Sequence, residues 1–142
     1  MNWLWWTILS KRPQTEVIPP EYSTGEVGAV TSATVVIVFN EEINSGTSDY
    51  VTGVTIQVNA VSATISSGTL QAGNTTVRYV IATAADANDT VTWQYSDAVG
   101  DIADLAGNQL ADVSAQTVTN NIGRHFWFDR KEDSGHLIHL FP

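Results

Sequence analysis

The chain has 142 residues, close to the usual length of one domain and too short for two ordinary ones. Its formal net charge of −9 would be repelled by phosphate backbones, so we expect no nucleic-acid partner. Because cysteine is absent, disulfides, Cys-based zinc sites and Cys nucleophiles are excluded.

Residues 1–9 are mostly apolar, but a membrane span needs about 20 such residues. The nearest positive charges, Lys11 and Arg12, follow the apolar run instead of preceding it, so we expect no signal peptide. Pro13, Pro19 and Pro20 come next and predict an extended connector, because proline fixes φ and restricts the residue before it.

Charge and aromatic residues divide the chain into three parts. Residues 23–122, the predicted domain, hold ten acids and only one base, Arg78. The N-terminal arm (residues 1–22) and the C-terminal arm (residues 123–142) together hold five bases and five acids, and four of the five tryptophans. An ordinary small domain concentrates its large aromatic residues in its own core, so the arms must bury their rings somewhere.

The central part is rich in Thr and Val and reads as short strands separated by polar turns. Residues 34–39 give the clearest strand, with Val35, Ile37 and Phe39 on one face. Tyr79 and Trp93 lie on the apolar faces of two further alternating strands. Seven strands at this spacing predict an all-β sandwich of two antiparallel sheets, with strands near residues 27–30, 34–39, 51–58, 61–66, 75–82, 90–96 and 113–119 and turns that include Ser67-Gly68.

The end of this region carries a family-like pattern. Tyr95 lies in a strand, a loop ends in Asp104-x-Ala106-Gly107-Asn108, and the last strand finishes in Val118-x-Asn120. Together with the strand at residues 35–39 and the acids after it, this resembles the bacterial Ig-like repeats called SwmB-type, over residues 27–121. The resemblance implies an Ig-like sandwich with no catalytic function.

Two interpretations of the loop remain open. Asp104 and Asn108 suit a turn, because their short side chains can bond nearby backbone amides, and Gly107 can adopt a positive φ. Alternatively, calcium could be held by Asp97, Asp101, Asp104 and Asn108, although the spacing is not that of an EF-hand. We predict the turn, and neither metal nor cofactor.

No catalytic constellation is evident. The histidines, His125, His136 and His139, all lie outside the predicted domain, and neither a Gly-x-Ser-x-Gly elbow nor a P-loop occurs. Glu41 and Glu42 are neighbours at a strand end and would point to opposite faces, unlike a glycosidase pair. We therefore expect no enzyme.

The arms could fold back to cover an edge strand of the sandwich, or their rings could fill pockets on a partner or on sister subunits. Membrane contact is disfavoured because the arms are neutral overall, whereas peripheral helices carry a basic face. We expect contact with a partner protein or within a homo-oligomer through the arms, and the predicted partner-binding residues are Trp3, Trp5, Trp6, Phe126, Trp127 and Phe128.

An isolated Ig-like domain of this kind resembles accessory and decoration proteins of tailed-phage virions. The sequence hypothesis is therefore a virion-surface decoration or accessory protein, whose arms dock on a structural protein such as the major capsid protein while the acidic domain projects outward. The alternative is a cell-surface adhesion or carbohydrate-binding module, in which Tyr50, Tyr79 or Trp93 would stack on a sugar ring.

Overall fold

The computed structural model describes residues 17–47 and 49–123, and this part of the chain is all-β, without a helix. Its nine strands are β1 (Tyr22–Val27), β2 (Thr34–Phe39), β3 (Val54–Val58), β4 (Val61–Ala63), β5 (Ile65–Leu70), β6 (Thr76–Ile81), β7 (Val91–Tyr95), β8 (Val113–Thr117) and β9 (Thr119–Asn120).

The strands form two sheets, of order β5-β6-β2-β1-β9 and β4-β3-β7-β8. Neighbouring strands are antiparallel except β1 and β9, which run parallel. The predicted immunoglobulin-like antiparallel sandwich is therefore confirmed. The sequence pattern did not indicate the parallel pair.

Two of the predicted strands are each divided between the sheets. The chain passes from β4 in one sheet to β5 in the other at Thr64, and from β8 to β9 at Val118. These two divisions account for nine strands where seven were predicted. The predicted turn at Ser67-Gly68 is wrong, because both residues lie inside β5 and pair with β6.

The core lies between the sheets and is built from the alternating positions of the strands. Val35, Ile37 and Phe39 of β2 point inward, as predicted, and so do Tyr79 of β6 and Trp93 of β7. Burying a large apolar side chain of this kind contributes about 1.5–3 kcal/mol. The fold is therefore held mainly by the two inward faces of the sheets.

Long loops close one end of the sandwich, which we call the N-terminal pole because β1 begins there. Their backbones are joined by hydrogen bonds from Ile43 N–H to the Asn74 carbonyl at 2.7 Å and from Asn44 N–H to the Ala103 carbonyl at 2.8 Å. Ile43 is fully buried beneath them. The opposite end, the C-terminal pole, has shorter connections and receives the end of β9.

Candidate attachment site

The six predicted partner-binding residues, Trp3, Trp5, Trp6, Phe126, Trp127 and Phe128, lie outside the described residues. What the structure does describe is how the chain joins the domain just before β1 and just after β9. The first junction comprises residues 17–21 and the second comprises residues 121–123. Their contacts form the described part of the candidate attachment site.

At the N-terminal pole the chain is fixed by Asn40, the residue that follows β2. Glu21 N–H donates to Asn40 Oδ1 at 2.7 Å, and Asn40 N–H donates to the Glu21 carbonyl at 3.0 Å. One residue later, the Tyr22 ring stacks on Trp93 with 5.5 Å between the ring centroids. The chain thus meets the domain in one orientation before β1 begins.

At the C-terminal pole, Asn120 ties the end of β9 to the loop between β6 and β7. Its Nδ2 donates to the carbonyls of Asp86 at 2.8 Å and Asp89 at 2.9 Å. Its Oδ1 accepts the Ile122 N–H at 2.9 Å. Asn120 is the last residue of the family-like pattern, and these bonds give a physical reason for an asparagine there.

Asn121 ties the same segment to β1. Its N–H donates to the Val27 carbonyl at 2.9 Å, and its Nδ2 donates to Glu26 Oε2 at 2.7 Å. Beside this contact Gly28 has a φ of +88°, and a Cβ placed on it would come within 2.8 Å of the Ile122 nitrogen. Only glycine lets the departing chain pass so close to the end of β1.

The parallel pairing of β1 and β9 places the two junctions at opposite ends of the sandwich. Glu26 pairs with Thr119 and Val27 with Asn120, so β9 ends beside the end of β1. The six residues of β1 separate that point from the start of β1 by about 20 Å. The chain therefore runs through the domain from one pole to the other.

Of the residues at these junctions, Asn120 belongs to the pattern recognised in the sequence, whereas Asn40, Asn121, Glu26 and Gly28 were not predicted to have a role there. An asparagine directly after a strand, and a glycine directly after another, were the available signals. Those signals are weak, because the same residue types also mark ordinary turns. The hydrogen-bond partners are also distant along the chain: Glu21 and Asn40 are 19 residues apart, and Glu26 and Asn121 are 95 residues apart.

The loop at Asp104–Asn108 is a tight turn, as predicted. Asp104 Oδ1 accepts the Asn108 N–H at 2.8 Å, Asp104 Oδ2 accepts Asn108 Nδ2 at 2.7 Å, and Gly107 has a φ of +90°. Burial acts to raise the pKa of Asp104, but the hydrogen bonds from Asn108 and from backbone N–H groups outweigh it and lower the pKa. Both carboxylate oxygens thus serve the turn.

Asp97 and Asp112, both in the loop between β7 and β8, form a pair of acids. Asp97 N–H donates to Asp112 Oδ1 at 2.8 Å. The hydrogen bond between the two side chains, and then their like charge, raise the pKa of Asp97. Within residues 17–47 and 49–123, no group of three or more His, Asp or Glu side chains is arranged to hold a metal ion.

Comparison with known proteins gives structural neighbours only. No family model matches the chain, and no curated protein matches it. It is similar to three solved structures of S-layer protein SbsC: the N-terminal part of the bacterial protein (15% identity, TM-score 0.58), rSbsC(31-844) (14%, 0.59) and domains 1-6 (15%, 0.58). Each match covers 72% of this chain but only 24%, 14% and 14% of those chains, respectively, so the likeness shows the fold of one domain.

The rings considered for sugar stacking are not available for it. Trp93 and Tyr79 are fully buried and Tyr50 is only 8% exposed, so that interpretation of these three residues is wrong. The histidines, in contrast, lie outside the described residues. None of the described segments forms a helix of the length and apolar character required to cross a membrane.

Proposed function

We propose that this chain is a non-enzymatic structural protein whose Ig-like domain is held on a surface assembly by its flanking segments, residues 1–16 and 124–142. The observation that carries the proposal is the fixation of the chain at both poles, by Asn40 at one and by Asn120 and Asn121 at the other. Between these points the described chain enters the sandwich at one pole and leaves it at the other.

The distribution of acids supports an outward-facing domain. Seven of the ten acids of residues 23–122 lie in the loops of the N-terminal pole, namely Glu41, Glu42, Asp49, Asp97, Asp101, Asp104 and Asp112. Two copies that met at these poles would repel each other. Contacts between copies are therefore better made through the neutral arms, as the sequence hypothesis requires.

The finer proposal is a decoration or accessory protein on a virion, bound to a structural protein such as the major capsid protein. Its support is the segregation of tryptophan into the arms and of acids into the domain. Chain length permits both arms to reach one surface, since 16 extended residues span about 50 Å, more than the roughly 20 Å between the two junctions.

The alternative is a structural module of a bacterial cell surface. The observation that favours it is that the three similar structures are all of S-layer protein SbsC. In that case the chain would occur in an extracellular surface lattice. Both versions share the non-enzymatic role and the attachment through the flanking segments, and they differ in the particle that is bound.

Co-sedimentation tests the proposal. The full chain, a chain lacking residues 1–12 and a chain lacking residues 124–142 are each mixed with purified virions and with bacterial cell-wall preparations. Two further variants replace Trp3, Trp5 and Trp6, or Phe126, Trp127 and Phe128, by alanine. We expect each change to reduce binding to one kind of particle at least tenfold, since losing even one buried aromatic anchor commonly costs about 2 kcal/mol or more.

Leu105→Ala is the matched control, because Leu105 is an apolar residue of the domain that is 62% exposed. It should bind as the unaltered chain does. Undiminished binding by both truncated chains would overturn the proposed attachment. Binding to virions alone supports the virion version, and binding to cell walls alone supports the cell-surface version.

A further inference from the structure

The contact between β1 and β9 joins the first and the last strand of the domain directly. The chain reaches the start of β1 at the N-terminal pole and departs from the end of β9 at the C-terminal pole. A force that draws the flanking segments apart would pull β1 and β9 in opposite directions along their own axes. The two strands would then have to slide past each other.

Sliding loads the bonds of this junction together. Ladder hydrogen bonds run across the strands, so a force along the strands strains all of them at once instead of opening them one by one. The junction contains the pairs Glu26–Thr119 and Val27–Asn120, the bond from Asn121 N–H to the Val27 carbonyl, and the bond from Asn121 Nδ2 to Glu26.

Further contacts spread the load from the junction into the sandwich. Asn120 joins the end of β9 to the carbonyls of Asp86 and Asp89 in the β6–β7 loop. β1 pairs along its length with β2, through five residue pairs that end in Tyr22–Phe39 and Val27–Val35. Neither terminal strand can leave along its axis without breaking a whole set of contacts.

We propose that the domain is a tension-bearing module, in which the β1–β9 junction and the side chain of Asn121 resist force applied between the two flanking segments. The inference rests on the proposed function, because tension arises only where both segments are attached. Beyond attachment, the domain would transmit force between the two flanking segments.

Single-molecule force spectroscopy on the full chain tests this inference. In the first geometry, handle proteins are fused to both ends of the chain. In the second, one handle is at the N-terminus and the other is joined to Glu42→Cys, a unique thiol because the chain has no cysteine. Glu42 is exposed and lies just after β2 at the N-terminal pole, so the second geometry peels β1 from β2 pair by pair.

We expect a several-fold higher unfolding force in the first geometry than in the second. Asn121→Ala should lower the force in the first geometry and leave the second unchanged, and the milder Glu26→Gln should act in the same direction. Asn44→Ala is the matched control, because it removes a side-chain bond of similar length, 2.7 Å to Gly46 N–H, in a loop away from the junction.

Equal forces in the two geometries would overturn the inference, and so would an Asn121→Ala chain that behaves like Asn44→Ala. No partner takes part in this measurement. A low unfolding force in the first geometry would therefore refute the tension-bearing role and leave the proposed attachment intact. Undiminished co-sedimentation of both truncated chains would refute the attachment and leave the mechanical result in place.

Discussion

Two buried tyrosines of the core should respond differently to substitution by phenylalanine. Tyr95 Oη accepts the backbone N–H of Ile102 at 3.1 Å, and Ile102 is fully buried. Tyr95→Phe would leave that N–H without a partner, which costs about 1–3 kcal/mol. For a domain of roughly 100 residues, each 1 kcal/mol corresponds to a fall in melting temperature of about 4–8 °C.

Tyr79 provides the contrast. Burial raises the pKa of Tyr79, and the nearby Trp93 side chain offsets only part of that rise. Within the described residues, neither Tyr79 Oη nor Trp93 Nε1 makes a hydrogen bond of good geometry. Tyr79→Phe removes a buried hydroxyl that makes no hydrogen bond to compensate for its loss of contact with water. We expect a change in unfolding free energy near zero, or a gain of up to about 1 kcal/mol.

Urea and thermal denaturation of the full chain, followed by far-UV circular dichroism, measure both effects. Tryptophan fluorescence is the poorer probe, because four of the five tryptophans lie in the arms. The urea dependence of the unfolding free energy should be the same in both variants, since each exposes nearly the same surface on unfolding. The reasoning is refuted if Tyr79→Phe destabilises the chain as much as Tyr95→Phe does.

Three further outcomes are expected from contacts described above. Asp97→Asn should raise the melting temperature at pH 7, because the hydrogen bond to the Asp112 side chain, and then the like charge of Asp112, raise the pKa of Asp97 and so disfavour its charged form in the folded state. The gain should shrink as pH falls through about 4 and be lost by about pH 2, where the folded and unfolded carboxyls are both protonated. Gly28→Ala should cost about 1–3 kcal/mol in denaturation experiments, since φ is +88° and the new Cβ would meet Ile122. Alkaline titration should lower stability as pH rises above about 10, because burial raises the pKa of Tyr79 in the folded state alone, and Tyr79→Phe should reduce that loss.

Local patterns predicted the parts of the fold that depend on local physics. The strand at residues 34–39 was placed correctly because five consecutive β-branched residues and Phe39 stand there and a polar segment follows. The turn at Asp104 was predicted because short polar side chains and Gly107 are sufficient to form it. The first strand was predicted at residues 27–30, but β1 spans Tyr22–Val27 and ends before Gly28, which has a positive φ. The apolar pattern near Val27 thus marks the end of the strand and not its start.

What the sequence did not reveal depends on distant pairings. Nothing near Thr64 or Val118 marks the points at which the chain changes sheets, because both lie within continuous strand-like patterns. The parallel contact of β1 with β9 joins residues more than 90 positions apart, so no periodicity reports it. The junctions at Asn40 and Asn121 follow from those pairings and could be recognised only once the strands were placed.

The separation of the two junctions also limits how this domain can be recombined. In many domains the termini lie close together, which makes circular permutation and insertion into a host loop easy. Here the start of β1 and the end of β9 are about 20 Å apart, so a permuted chain would need a linker of at least six extended residues across the outside of the sheet. Head-to-tail duplication requires no such bridge, and each added copy would lengthen a string of domains by its full pole-to-pole length.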